Sequence, residues 1–233
     1  MRTTRTLLAT FSAEQPCRQG VDQNVVIVPG RDALRYLHQQ SWHALAIDLT
    51  ENTRAGFSLL DAVLAEELAQ ALTLPTLLLA CSTCPQTLNE PLLHLKGFDQ
   101  LISLPLLALS GNEAPPLADL RELRALAGQQ QAVIDAMIPT LLLTLDGDIK
   151  QLTEMCQQAT LIEIAALAHR MKSSWHLLGM RRARRSCIIM ERLPVLIKEG
   201  GINEENSLKM RTNFISVMFS EYCQLRELMR HYW

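Results

Sequence analysis

The sequence predicts two different halves, an α/β domain with a parallel sheet followed by an all-α domain. Up to about residue 109, short apolar runs of strand length alternate with helical stretches, the rhythm of a parallel sheet covered by helices. Beyond Ser110 the strand signals disappear and apolar residues recur at intervals of three and four, which marks one buried face on each helix. A chain of 233 residues with 48% hydrophobic content can bury two modest cores, since domains usually hold about 100–150 residues.

The expected strands are "TLLAT" (6 to 10), "NVVIV" (24 to 28), "HALAIDL" (43 to 49), "TLLLAC" (76 to 81) and "QLISL" (100 to 104). Helical periodicity lies between them in "GRDALRYLHQQ" and "GFSLLDAVLAEELAQAL". The connection after the first strand, "FSAEQPCRQGVDQ", contains Pro16 and Gly20 and is too short for an ordinary helix. From residue 110 the stretch "SGNEAPPLADL" collects Gly, Asn and two prolines, which sustain neither a helix nor a ladder. This divides the chain into residues 1–109, a linker at 110–118, and residues 119–233.

In the second part, Leu142, Leu145, Ile149, Leu152 and Cys156 form one stripe. Ile164, Ala168, Met171, Trp175 and Leu178 form another, and Ile215, Met218, Tyr222, Leu225 and Met229 a third. A helix from Met180 to Leu193 carries Ala183, Cys187 and Met190, and Pro194 is expected to stop it. Asn203 is a candidate N-cap with Glu204 and Glu205 in the first turn, where negative charge is favoured. An earlier helical stretch over residues 117 to 137 is expected to end near Pro139. Four helices with inward stripes describe an antiparallel bundle.

Composition narrows the functions. Lys plus Arg number 22 against 24 Asp plus Glu, a net charge of -2, so no overall attraction to nucleic acid or acidic lipid is expected. The N-terminal "MRTTRTLLATF" is too short for a secretory core, and runs such as "LPTLLLAC" fall short of the roughly 18 residues of a membrane span. Cys17, Cys81, Cys84, Cys156, Cys187 and Cys223 are scattered along a chain that needs no disulfides, which fits a reducing cytoplasm. Cys81 and Cys84 form C-x-x-C, but no second pair follows at zinc spacing. The pair is expected to be two small buried residues at a strand end, and no metal or cofactor is expected.

The chemistry gathers in "LAHRMKSSWHLLG". His169, Lys172, Ser173 and His176 fall at i, i+3, i+4 and i+7, a polar stripe beside the apolar one. A histidine there stands on a rigid backbone yet faces water, which suits a nucleophile toward a phosphoryl group. Lys172, one turn on, can neutralise the charge of that group. Ser173 and Ser174 are small enough to clear space for an incoming partner. The cluster "RRARR" at 181–185, with Arg170, reads either as a solvated face or as a positive field near His169.

The stretch "LAHRMKSSWHLLGMRRARRSCIIMERL" resembles the histidine-containing phosphotransfer (HPt) domain, whose motif reads H-x-L-K-G-S followed by a later glycine. His169 matches the phosphorylated histidine, Met171 the leucine, Lys172 the lysine, Ser174 the small polar position and Gly179 the glycine; Ser173 departs from the usual Gly. The resemblance spans roughly residues 120 to 232. It implies a four-helix bundle that takes phosphate from a receiver aspartate and passes it on, with Arg170, Ser173, Ser174, His176, Arg181 and Arg182 around the docking face. Charge complementarity with the receiver's acidic pocket would set on-rate and partner choice.

The first half, through "VVIVPGRDALRYLHQQSWHALAIDLTENTRAGFSLLDAVL", resembles a receiver domain of flavodoxin-like fold. Asp48 matches the phosphoacceptor and Gly56 the glycine eight residues on, whereas Glu51, Asn52, Arg54 and Ala55 depart from the pattern. "KGFDQLISLPL" matches at Pro105, with Leu104 in place of the lysine. Aspartate phosphorylation needs a divalent cation on an acidic pair, a lysine and a hydroxyl. The first strand has no acidic pair, and Ala80 is expected at the hydroxyl position, with Ser82 close by. The first half is therefore expected to be a degenerate receiver in which Asp48 is vestigial.

The expectation is a phosphorelay intermediate without nucleotide site or cofactor, as a stand-alone protein or as the cytoplasmic, C-terminal end of an inner-membrane sensor histidine kinase. Its partners would be the receiver domain of a hybrid sensor kinase and a downstream response regulator, with no nucleic acid and no membrane contact of its own. Two other readings stay open: an adaptor in which His169 is incidental, and an active receiver at Asp48.

Overall fold

Apolar runs with buried residues on both faces make the centre of the sheet. The computed structural model describes residues 5–11, 25–69, 77–104, 120–155, 159–200 and 202–232. The strands are β1 (Thr6–Thr10), β2 (Val25–Pro29), β3 (Ala44–Asp48), β4 (Leu77–Ser82) and β5 (Gln100–Ser103). They form one sheet in the order β2-β1-β3-β4-β5, and every pairing is parallel. β1 is buried throughout, and β3 and β4 nearly so, as strands covered on both faces must be. β2 and β5 lie at the edges and are more exposed. Pro29, which has no N–H for a ladder, ends edge strand β2.

Helices α1 (Ala33–Gln39), α2 (Thr53–Leu68) and α3 (Glu90–Lys96) accompany the sheet. Asn52 caps α2, its side chain accepting the Ala55 amide at 2.9 Å. Gly56 lets α2 approach β3 closely, because a Cβ there would meet the Leu49 side chain at 2.3 Å.

The remaining helices are α4 (Arg121–Leu126), α5 (Gln131–Met155), α6 (Leu161–Leu177), α7 (Arg181–Lys198) and α8 (Glu204–Tyr232). The chain divides into two compact units, Met1–Ala114 and Pro115–Trp233. The first is therefore α/β with a parallel sheet, and in the second the described elements are helices. Within it α6 packs along α7, α7 along α8, and α5 against both α6 and α8, with α4 against α5 and α6.

Heptad spacing identifies the buried faces well. Ile164, Ala168, Met171, Trp175 and Leu178 are all buried, as are Leu145, Ile149, Leu152, Ala183, Cys187, Met190, Met218, Leu225 and Met229. Leu142, Ile215 and Tyr222 are half-buried. Asn203 caps α8 through the Asn206 amide at 2.8 Å.

Two helix ends differ from expectation. α5 runs through Pro139 and α7 through Pro194. A proline in a helix interior costs about 3 kcal/mol through its missing N–H and ring clash. Buried residues on both sides of Pro139, Ile134 and Ile138 before it and Leu145 and Ile149 after it, hold that helix continuous. Beyond Pro194, Leu196 and Ile197 are half-buried and do the same. The helix expected over residues 117–137 is two, α4 and the start of α5, parted at Gly128 and Gln129, both with positive φ. Linker residues 110–118, Pro105, Pro16, Gly20, Cys17 and Cys156 lie outside the described residues.

Trp175 is the largest fully buried side chain. Trp175→Ala should destabilise the helical unit by about 3–5 kcal/mol, read as a lowered urea midpoint of its unfolding transition.

Candidate functional site

Local sequence fixes both ends of α6. Glu163 donates its amide to Thr160 Oγ1 at 3.3 Å, and Thr160 donates its amide to Glu163 Oε2 at 2.7 Å. This reciprocal cap satisfies backbone donors that a helix start leaves open. The backbone hydrogen bond first, then the side-chain one, holds the Glu163 carboxyl below its ordinary value. At the other end Gly179 adopts φ 68°. Its amide donates to the His176 carbonyl and that of Met180 to the Trp175 carbonyl, each at 3.0 Å. A left-handed residue closing these bonds is most easily a glycine.

Between those ends Ala168, Met171 and Trp175 face the core, so His169 faces outward, its side chain 67% exposed. His169 Nδ1 lies 2.9 Å from Glu191 Oε1 on α7. An ionised carboxylate only accepts, so Nδ1 carries the proton and donates, and on a neutral ring the lone pair is then on Nε2. Among the described residues no hydrogen-bond partner meets Nε2. Lys172 Nζ donates to the other oxygen, Glu191 Oε2, at 2.5 Å. One carboxylate thus bridges the histidine and the lysine. Burial by itself would raise the Glu191 carboxyl; the combined hydrogen bonds and charges of Lys172 and His169 outweigh it and hold the group below its ordinary value.

Glu191 did not stand out in sequence, although a single acid within "CIIMERL" is a signal of a kind. Behind this cluster lies Cys187, whose thiol burial pushes far up, so it packs as a small apolar group.

The other expected site residues divide. Ser173 is exposed, one turn beyond His169. Ser174 is buried at 7%: it belongs to the core face and clears no space for a partner. Arg170 turns to α5, its guanidinium 2.6 Å from Asp148 and 2.5 Å from Gln151 Oε1. His176 is turned toward α4 and α7, with Glu122 at 3.9 Å and the Arg184 guanidinium at 3.3 Å.

Half of the arginine cluster is internal, and Arg182 is exposed. Arg184 and Arg185 are buried, Arg181 is half-buried, and Arg182 lies 4.0 Å from Glu221 of α8. Burial raises the Glu221 carboxyl against the opposing pull of Arg182 and the Ala183 amide. The run "RRARR" winds around a helix, so successive arginines point in different directions and do not form one positive face.

In the α/β unit Asp48 ends β3, and its Oδ1 accepts the Thr50 amide at 2.9 Å. Register sets Cys81 opposite Asp48 and Ala80 opposite Ile47. The residue across from Asp48 is therefore Cys81, and burial first, then the Asp48 charge, raises its thiol. Ser82 Oγ accepts the Cys84 amide at 3.0 Å. Leu104 packs on the apolar cluster of Leu8, Ala44, Ala46, Leu79 and Cys81. β1 is followed by Phe11, whose ring lies where a Cβ on Gly30 would go. The C-x-x-C is split: Cys81 is buried but Cys84 is exposed, and both thiols are free. Among the described residues, no three His, Cys, Asp or Glu side chains are grouped to hold a metal ion, and no helix is long and apolar enough to cross a membrane.

Comparisons of the chain with models of protein families, with curated proteins and with solved structures give no match. The chemistry therefore rests on the geometry: an outward imidazole with one nitrogen held by a carboxylate, the other open, and an ammonium one turn away.

A carboxyl held below its ordinary value in the fold stabilises the fold above the unfolded pKa, and that contribution is lost as pH falls through the folded value. Glu191→Gln should therefore unfold at lower urea than the parent at neutral pH, and the gap should close as pH falls through the acid range. Urea midpoints of both proteins from pH 7 down to pH 3 check this.

Proposed function

We propose that the chain is a phosphorelay intermediate in which His169 accepts a phosphoryl group from an aspartyl phosphate and passes it to a second receiver. The observation that carries this reading is the bridge from His169 Nδ1 through Glu191 to Lys172, which leaves Nε2 as the open nucleophile on a rigid helix. In the forward step Nε2 attacks phosphorus, the N–P bond forms, and the P–O bond to the donor aspartate breaks. The ring gains positive charge as this happens, and the Nδ1–H···carboxylate bond to Glu191 stabilises it. Lys172 exchanges part of its contact with Glu191 for the phosphoryl oxygens. Transfer onward reverses these bonds onto another aspartate.

On this reading the helical unit is the antiparallel four-helix HPt bundle implied by the resemblance, supported by the packing of α5 against α6 and α8 and of α7 against α6 and α8. The α/β unit has the strand order of the flavodoxin-like class, and on this reading it is a degenerate receiver used for structure or docking. Supporting that are Phe11 after β1, Leu104 within an apolar cluster, and buried Cys81 across from Asp48. A cytoplasmic location belongs to the same proposal, as do its two partners, a hybrid-kinase receiver and a response regulator.

Incubation with a radiolabelled phosphorylated receiver should give acid-labile label on the chain. His169→Gln should abolish it, and Lys172→Ala should slow transfer by about 10²-fold. No transfer, or transfer that survives His169→Gln, would leave the chain an adaptor. With magnesium and a small-molecule phosphodonor alone no label should form, and Asp48→Ala should change nothing; magnesium-dependent label lost in that variant would restore Asp48 as an active acceptor.

A further inference from the structure

We infer that buried Asp148 is a positioning residue for docking: it holds the Arg170 guanidinium beside His169 so that the free edge of the fork meets a carbonyl oxygen on the incoming receiver. This rests on the proposed relay, which supplies the partner. It adds which side chain grips that partner and what keeps the grip in place.

Helix geometry places the contact. Successive residues of a helix are turned by about 100°, and the core side of α6 is taken by Ile164, Ala168, Met171 and Trp175. The outer side carries Ile162, Ala166 and Ser173, all exposed. His169 stands on one flank of that strip, toward Glu191 of α7, and Arg170 on the other, toward Asp148 of α5. At the level of these two residues the strip is Ala166 and Ser173, whose short side chains let another domain come down between imidazole and guanidinium. A receiver seated over Nε2 of His169 is then within reach of Arg170.

The guanidinium is not a loose surface charge. Its Nε donates to Asp148 Oδ1 at 2.8 Å, Nη2 lies 2.6 Å from the same oxygen, and Nη2 also donates to Gln151 Oε1 at 2.5 Å. These bonds occupy one edge of a planar fork. Among the described residues no hydrogen bond or ion pair meets Nη1, and the side chain is 52% exposed. A donor of fixed position is left over.

Asp148 is a weak source of stability. It is 4% exposed, on the stripe of α5 that also carries Leu145, Ile149 and Leu152, and its Oδ2 has no partner among the described residues. A buried ion pair with an unsatisfied oxygen is commonly no better for folding than two apolar side chains of similar volume. What the carboxylate does accomplish is to hold the guanidinium still and to balance its charge. The side chain is thus ordered before the partner arrives. A second carboxylate would be repelled by Asp148, so the acceptor that suits this donor is an uncharged carbonyl oxygen.

Single-turnover transfer from a radiolabelled phosphorylated receiver to the whole chain, with receiver concentration varied, tests this. Arg170→Lys keeps a cation for Asp148 but has no fork. Half-saturation should need about tenfold more receiver, while the rate at saturation stays at the parent's. Replacing the pair, Asp148→Leu with Arg170→Met, should give the same rise with a urea midpoint at or above the parent's. Asp148→Leu alone frees the arginine to move and should raise half-saturation about threefold. A directional bond predicts ratios that hold as salt is raised beyond the range where exposed charges are screened. The inference is overturned by half-saturation unchanged in Arg170→Lys, by a loss confined to the saturated rate, by ratios that shrink toward one in high salt, or by a pair replacement that unfolds at lower urea. The relay stands through all of these, since each is read from a chain that transfers. A parent that takes no label sinks the relay instead; calorimetric binding of the receiver then tests the docking contact, and Arg170→Lys should weaken it by the same factor.

Discussion

The burial of one face of α6 is the constraint on which the site depends. Ala168, Met171 and Trp175 are removed from water completely, and each buried large side chain contributes roughly 1.5–3 kcal/mol. With that face committed to the core, the rotation of the helix is set, and His169 has to point outward. A histidine carried on a loop could turn away from a partner; on this helix the backbone cannot turn without exposing Trp175. The Thr160 cap and the left-handed Gly179 fix the two ends, so His169 is located along the helix as well as around it.

Glu191 adds what the helix alone cannot supply. It reaches from α7 to take the Nδ1 proton and the Lys172 ammonium on its two oxygens, and so determines which ring nitrogen remains open. The same carboxylate moderates the lysine, whose charge would otherwise be uncompensated beside a largely buried surface. A phosphoryl group arriving at Nε2 would meet a cation that is already positioned, though shared. On the proposed relay reading, this balance suits a carrier, which must hold its cargo and also release it.

The two halves differ in how openly they display their chemistry. The α/β unit has an aspartate at the end of β3, which accepts the Thr50 amide and stands across from the buried Cys81. In the helical unit His169 is exposed, whereas Lys172 and Glu191 beside it are partly buried.

Strands and helix stripes were legible in the sequence because they follow from backbone periods of about 2 and 3.6 residues. β1 is the same five residues, Thr6–Thr10, and the stripe from Ile164 to Leu178 is buried throughout. The capping box at Thr160 and Glu163 was legible in principle and went unread. Pro139 and Pro194 misled, since a local rule about helix ends yields to packing on both sides of the residue. Which way Arg170, Ser174 and the arginines of "RRARR" point depends on helix rotation, and composition averages that away. The partnership of Glu191 with His169, across 22 positions, and that of Cys81 with Asp48 arise only when separate elements come into register. By itself the sequence determined that a histidine stands on the outer side of a core helix, because three to five residues of local pattern suffice for that. The tertiary structure alone decided which groups touch it, because side-chain contacts depend on how helices and strands slide and turn against one another.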